Sequence, residues 1–209
     1  RDGNIDAGIL ATLNDRYIPN FRPLTSEKYV TLTTHVAKAE TINISNLDAL
    51  DGETVGYQAE VKGQFSESAF PTTTKLILKP GAQVMFIRNN YEEGYYNGLI
   101  GIVKELKDEV ITVSTENRDI MVFQEKWKNM SYSLGEDDLK IKEEEMGSFS
   151  QYPLKLAWAV TVHKSQGLTF DKLIVDLEDS FAAGQIYVAL SRCRSLGGLV
   201  FKSKITPHK

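Results

Sequence analysis

The residue order predicts an α/β fold interrupted by a small all-β module, and three observations carry that prediction. Residues 1–58 and 151–209 mix apolar runs of strand length with segments at helical spacing. Residues 59–150 hold short apolar runs at close intervals, with turn residues between them. The apolar run Leu156–Thr161 opens abruptly into Val162-His163-Lys164-Ser165-Gln166-Gly167, a loop dense in polar donors.

In the first segment, Ile5, Ile9, Leu10 and Leu13 share one helical face, with Asp2 or Asn4 as the cap. Pro19, Asn20, Arg22 and Pro23 break the chain before a short strand, Val30-Thr31-Leu32. A second helix is expected over Val36–Leu50, capped by Thr33 or Thr34 and stopped near Asp51-Gly52. The middle segment reads as strands at Lys75–Lys79, Gln83–Arg88, Leu99–Leu106, Val110–Thr115 and Asp119–Phe123. Pro80-Gly81, Asn97-Gly98 and Lys107-Asp108-Glu109 separate them, which suits a small antiparallel barrel or meander. The acidic stretch Glu136–Glu145 reads as a solvated loop or edge. The last segment gives strands at Leu156–Thr161, Leu173–Leu177 and Gly198–Lys202, with a helix over Ala182–Arg192.

Composition removes several function classes. Hydrophobic residues make up 42% and charged residues 25%, an ordinary globular balance that argues against disorder. No apolar run approaches the roughly 18 residues of a membrane span, and the polar first ten residues do not read as a secretory leader. A single cysteine, Cys193, excludes an internal disulfide and a cysteine-based metal site, so a reducing, cytoplasmic setting is expected. His35, His163 and His208 have no clustered carboxylates, so no metal site is expected. The net charge of −4 argues against a nonspecific DNA-coating protein. Lys155, His163, Lys164 and Lys172 nevertheless make the polar loop locally basic, so any nucleic-acid contact must be local.

Two constellations carry chemistry. The polar loop places a hydroxyl, an imidazole, an ammonium, an amide and a glycine together, a donor set suited to phosphates. On the helix Ala182–Arg192, spacing puts Gln185, Val188, Ala189 and Arg192 on one face and turns Ile186, Tyr187 and Leu190 towards the core. A lone Arg at a helix C-terminus is ordinarily a surface charge set against the dipole; beside the polar loop, the functional reading of Arg192 prevails. Trp158 is expected in the core. Tyr91, Tyr95 and Tyr96 crowd one loop, where they either stack on bases or close the barrel, and the core reading is favoured for at least one. Trp127, between Lys126 and Lys128, carries the same ambiguity.

The pair Thr161–Phe170 and Gly184–Arg192 closely resembles two motifs of superfamily 1B helicases of the Pif/RecD-like branch. Leu78–Met85 running on to Asn97–Gly101, and Leu32–His35 with Ile42-Asn43, are similar to further stretches of that branch, and Arg1–Asn14 resembles the opening of its second motor domain. The resemblance implies a RecA-like domain of P-loop-NTPase type over 1–58 and 151–209, interrupted over 59–150 by an SH3-like barrel. The sequence contains no Gly-Lys dipeptide, so the domain lacks its own P-loop. Asp108-Glu109 reads as a turn rather than a magnesium-binding box.

Roles follow from the same resemblance. Arg192 is the expected arginine finger and Gln185 its supporting catalytic residue, with simple helix packing as the other reading of Gln185. Gln166 and Gly167 join Arg192 in nucleotide binding, although a plain turn glycine is the other reading of Gly167. Thr161, His163 and Lys164 are expected on the backbone of single-stranded DNA. Thr33, Thr34 and His35 are a secondary contact that could equally be a helix cap. ATP and Mg2+ would be held mainly by an N-terminal RecA-like domain of the same protein, with a monomer as the expected state. A non-catalytic nucleic-acid-binding or interaction module derived from such a motor is the competing expectation.

Overall fold

A computed structural model describes residues 6–134, 141–176 and 183–206. The chain divides into two compact units, Arg1–Ala49 with Leu156–Lys209, and Leu50–Lys155. The first segment holds α1 (Ala7–Asn14), β1 (Val30–Thr33) and α2 (Val36–Asp48). The middle holds β2 (Val55–Gln58), β3 (Glu60–Gly63), β4 (Lys75–Leu78), β5 (Gln83–Phe86), β6 (Ile100–Leu106), β7 (Ile111–Ser114), β8 (Asp119–Val122), β9 (Glu125–Leu134) and β10 (Ile141–Gln151). It closes with β11 (Leu154–Leu156), and then come β12 (Ala159–Thr161), β13 (Leu173–Val175), α3 (Ala183–Leu190) and β14 (Leu199–Phe201).

The boundaries between units differ from the expected ones. Residues 50–58 and 151–155 pack with the β-rich unit, because β2 pairs antiparallel with β4 and the buried Gln151 amide donates to the Tyr57 carbonyl at 3.0 Å. The apolar run Leu156–Thr161 is not one strand. β11 lies beside β5, whereas β12 pairs with β1.

In the α/β unit the sheet order is β12-β1-β13-β14, and every pair is parallel. Strands covered on both faces read as continuous apolar runs, and β1, β12, β13 and β14 are buried at every position. Ala39 and Leu47 are the buried positions of α2. Helix α1 is capped by Asp6, whose Oδ1 accepts from Gly8 N and Ile9 N at 2.7 and 3.3 Å; the expected caps Asp2 and Asn4 lie outside the described residues. Helix α2 begins with His35 at its cap position and no side-chain capping bond. The Thr33 hydroxyl accepts from His35 N at 3.4 Å instead of capping the helix. Arg16 holds the turn before β14, donating to the Leu199 and Gly197 carbonyls at 2.8 and 2.7 Å.

The β-rich unit contains a five-stranded sheet, β11-β5-β6-β7-β8, a three-stranded sheet, β3-β10-β9, and the pair β2-β4. Gly98, at φ 98°, supplies the left-handed residue of the Asn97-Gly98 turn. Asp108 and Glu109 sit in the β6–β7 turn, and Tyr57 and Tyr152 each donate a hydroxyl to it, at the Lys107 and Asp108 carbonyls, both at 3.0 Å. Of the three loop tyrosines, Tyr95 is the buried one. It stacks on Phe86 with ring centroids 4.5 Å apart and donates to Glu125 at 2.8 Å, while Tyr91 and Tyr96 are exposed. Trp127 is half-buried, under the Arg88 guanidinium and edge-on to Phe149. The acidic stretch is partly a strand: Glu143–Glu145 pair within β10 against β9, and residues 135–140 lie outside the described ones. Among the described residues no helix is long and apolar enough to cross a membrane.

Candidate functional site

The polar loop leaves the C-terminal end of β12, the end at which open parallel sheets bind ligands. Its side chains divide sharply. Val162, Ser165, Leu168 and Phe170 are buried, and His163, Lys164, Gln166 and Gly167 are exposed. The buried set anchors the loop and the exposed set is presented. Ser165 is fully buried and donates its hydroxyl to the Val162 carbonyl at 2.7 Å. A 3₁₀ turn over His163–Ser165 and a bond from Leu168 N to the Ser165 carbonyl at 3.0 Å fold the backbone tightly. Thr161 is itself buried, and its hydroxyl accepts from Lys164 N at 3.3 Å, which sets the direction in which Lys164 leaves the sheet. Gly167 has φ 78°, and a Cβ built there would meet nothing within 4 Å. Its lack of a side chain answers a backbone requirement and leaves open space in front of the peptide.

Arg192 is brought to this loop from the residues after α3. Phe170 N donates to the Arg192 carbonyl at 2.8 Å, and Arg194 N donates to the Phe170 carbonyl at 2.9 Å. The half-buried guanidinium donates from Nη1 to the Leu168 carbonyl at 3.3 Å, from Nε to the Val188 carbonyl at 3.2 Å, and from Nη2 to Ser191 Oγ at 2.9 Å. The next residue, Cys193, has its thiol pushed up by burial. Arg194 pairs with Asp171 at 2.7 Å. The backbone of α3 includes Gln185, but the Gln185 side chain lies outside the described residues. The inward face of α3 is not the expected one. Ala189 is fully buried and Leu190 half-buried, while Tyr187 is 74% exposed. Trp158 is half-buried rather than core.

Thr33 and Thr161 are register partners on adjacent strands, so the loops that follow β1 and β12 start from the same rung of the sheet. Val162 N donates to the Thr33 carbonyl at 3.0 Å. Thr33 is buried, Thr34 half-buried and His35 exposed. One feature of this edge escaped the sequence reading. Asp176, buried at the end of β13, pairs with Lys38 of α2 at 3.0 Å and lies 3.8 Å from Lys202 after β14. The available signal was a carboxylate ending the otherwise apolar run Leu173–Val175.

No protein-family model matches the chain. It is 34% identical over 216 residues to the ATP-dependent DNA helicase Pif1 of Psychrobacter sp. (strain PRwf-1), a match covering 80% of this chain and 33% of that protein. Unliganded Pif1 from Bacteroides sp. superposes with a TM-score of 0.90 at 42% identity, covering 97% of this chain and 47% of the other. Bacteroides Pif1 in complex with ADP-AlF3 and single-stranded DNA gives 0.74 at 41% identity, covering 98% and 47%. The chain thus spans between a third and a half of the length of the proteins it matches. Together with the α/β unit and its parallel sheet, these similarities place the chain in the family of Pif1-like helicases, as a counterpart of their C-terminal part.

Proposed function

We propose that this chain is the C-terminal motor half of an ATP-dependent DNA helicase that moves 5′ to 3′ on single-stranded DNA. The bond from Arg192 to the Leu168 carbonyl carries the reading, because it ties the guanidinium to the loop that displays Gln166 and Gly167. That donor set suits an anion: a guanidinium, a carboxamide and a peptide approached without a side chain. Arg192 stabilises the charge that develops on the transferred phosphoryl group, Gln185 supports it, and Gln166 and Gly167 read the nucleotide. Exposed His163 and Lys164 hold DNA phosphates, with Thr161 as the backbone anchor beneath them, and Thr33, Thr34 and His35 extend the contact. The N-terminal RecA-like domain of the same protein holds ATP and Mg2+, and the protein acts as a monomer in the cytoplasm. The β-rich unit is an SH3-like module.

The test is ATP turnover by the full-length protein with and without single-stranded DNA, alongside this chain alone. DNA-stimulated turnover that is present in the whole protein and absent from the isolated chain supports the proposal. Turnover by the isolated chain at the same rate overturns it. Unchanged turnover in Arg192→Ala would favour the non-catalytic binding module instead.

A further inference from the structure

β12 is an edge strand, so half of its peptide groups face away from β1. Thr31 N donates to the Trp158 carbonyl at 2.8 Å, and Val162 N donates to the Thr33 carbonyl at 3.0 Å. Those residues therefore point their polar groups inward, and Ala159 points its own outward. The outward groups of Ala159 are met by one side chain. Asn43 on α2 donates Nδ2 to the Ala159 carbonyl at 2.9 Å and accepts from Ala159 N at 2.9 Å. A carboxamide offers one donor face and one acceptor face, as a peptide does. Asn43 thus acts as a one-residue strand that closes the edge. The next outward-facing residue along β12 is Thr161, whose hydroxyl holds Lys164 N.

We propose that Asn43 is the positioning residue for the 161–167 loop: its two bonds to Ala159 fix the strand that launches the loop and tie it to α2, which begins directly after His35. The inference rests on the reading of that loop as the DNA and nucleotide contact. The fold supplies a matched control. Asn14 makes the same two-bond clamp on Ile205, in the segment after β14, at 3.0 and 2.9 Å. A purely structural role predicts that the two clamps behave alike, whereas a positioning role separates them.

The experiment uses the full-length protein with Asn43→Ala, with Asn43→Asp, which keeps an acceptor for Ala159 N but sets a carboxylate oxygen against the Ala159 carbonyl, and with Asn14→Ala. Amide hydrogen exchange, anisotropy with a fluorescein-labelled oligothymidylate, and DNA-stimulated ATP turnover are read for each. Both Asn43 variants should speed exchange of the 160–168 amides on the order of tenfold. They should weaken oligothymidylate binding and lower kcat, while Asn14→Ala speeds exchange only around residue 205 and leaves binding and kcat within about twofold. Similar losses of Tm in Asn43→Ala and Asn14→Ala, with loop exchange, binding and kcat alike in both, would overturn the proposal. A Lys164→Ala variant separates the two layers: silence there in binding defeats the DNA reading of the loop, and exchange in the Asn43 variants still decides the positioning role.

Discussion

Arg192 reaches across from the end of α3 to donate from Nη1 to the Leu168 carbonyl at 3.3 Å, one residue past Gly167. The same guanidinium donates to the Val188 carbonyl and to Ser191 Oγ. A long side chain held by three acceptors has already lost much of its rotamer freedom, so an anion that met it there would cost little further ordering. Ala189 explains why the helix can bring it there. With no side chain beyond Cβ, it lets α3 lie close to its support, fully buried, with Arg192 on the same face.

This arrangement predicts the kinetic signature of Arg192. In the full-length protein, Arg192→Ala should lower kcat for DNA-stimulated ATP turnover by roughly 10³-fold or more. The dissociation constant for single-stranded DNA should stay nearly unchanged, since the guanidinium faces Leu168 rather than His163 and Lys164. Arg192→Lys should recover little, because an ammonium cannot reproduce the fork. Steady-state turnover and DNA titration on the same preparations check the split. A loss in DNA affinity equal to the loss in kcat would count against the assignment.

His163 and Lys164 are exposed on a 3₁₀ turn whose start is held by the Thr161 hydroxyl. If they meet phosphates, Lys164→Ala should weaken binding to all DNA sequences similarly and reduce the slope of log K against log salt by about one. Binding of several oligonucleotides of different sequence across a salt series makes the check. A loss confined to one sequence would contradict a backbone contact.

The β-rich unit carries a pH dependence at Tyr57. Tyr57 is buried, donates to the Lys107 carbonyl at 3.0 Å, and burial pushes its hydroxyl from 10.0 up to about 12, with Tyr152 and Asp108 adding to the shift. The folded state thus prefers the protonated phenol. Its contribution is fully present below pH 10 and is lost as pH rises from 10 towards about 12. Urea unfolding between pH 9 and pH 11.5 (roughly the window set by that shift) should show falling stability. Tyr57→Phe should be less stable at neutral pH by about 1 kcal/mol and should show a flatter alkaline fall. An unchanged slope would place the alkaline effect elsewhere.

Much of this was legible in the sequence because burial writes itself as pattern. Val30–Leu32 and Leu173–Leu177 read as strands, and β1 and β13 fall within or beside them, since a parallel sheet covers both faces. The loop stood out because exposed donors followed a buried run. What periodicity cannot reveal is which partner a segment chooses. Leu154–Leu156 and Ala159–Thr161 belong to different sheets, yet the residues between them, Ala157 and Trp158, carry no turn signal. On α3, the spacing turned Tyr187 towards the core and Ala189 away from it, whereas Ala189 is the buried residue and Tyr187 the exposed one, because periodicity gives the faces of a helix but not which of them meets the sheet. Asn43 carried a family likeness but no visible task, since its task is a tertiary one, closing the edge of a strand 116 residues away.

Two glycines separate conformational from steric demand and give the last prediction. At Gly167 a Cβ would meet nothing within 4 Å, but φ is 78°. Gly167→Ala should therefore cost only about 1 kcal/mol of stability, the ordinary penalty of a left-handed residue. It should nevertheless reduce ATP turnover disproportionately, because the added methyl occupies the open space in front of the peptide. At Gly198 the backbone asks for no positive φ, but a Cβ would fall 1.9 Å from the Asp171 carbonyl oxygen. Neither Asp171 O nor the Gly198 backbone can yield without moving the turn that Arg16 holds through Gly197 and Leu199. Gly198→Ala should thus lower stability by about 3 kcal/mol or more, and any loss of turnover should follow the loss of folded protein. Urea denaturation paired with turnover per folded molecule resolves the two. A Gly167→Ala protein that is severely unstable yet normally active when folded would mean that the loop's shape, rather than the space it leaves open, is what the residue protects.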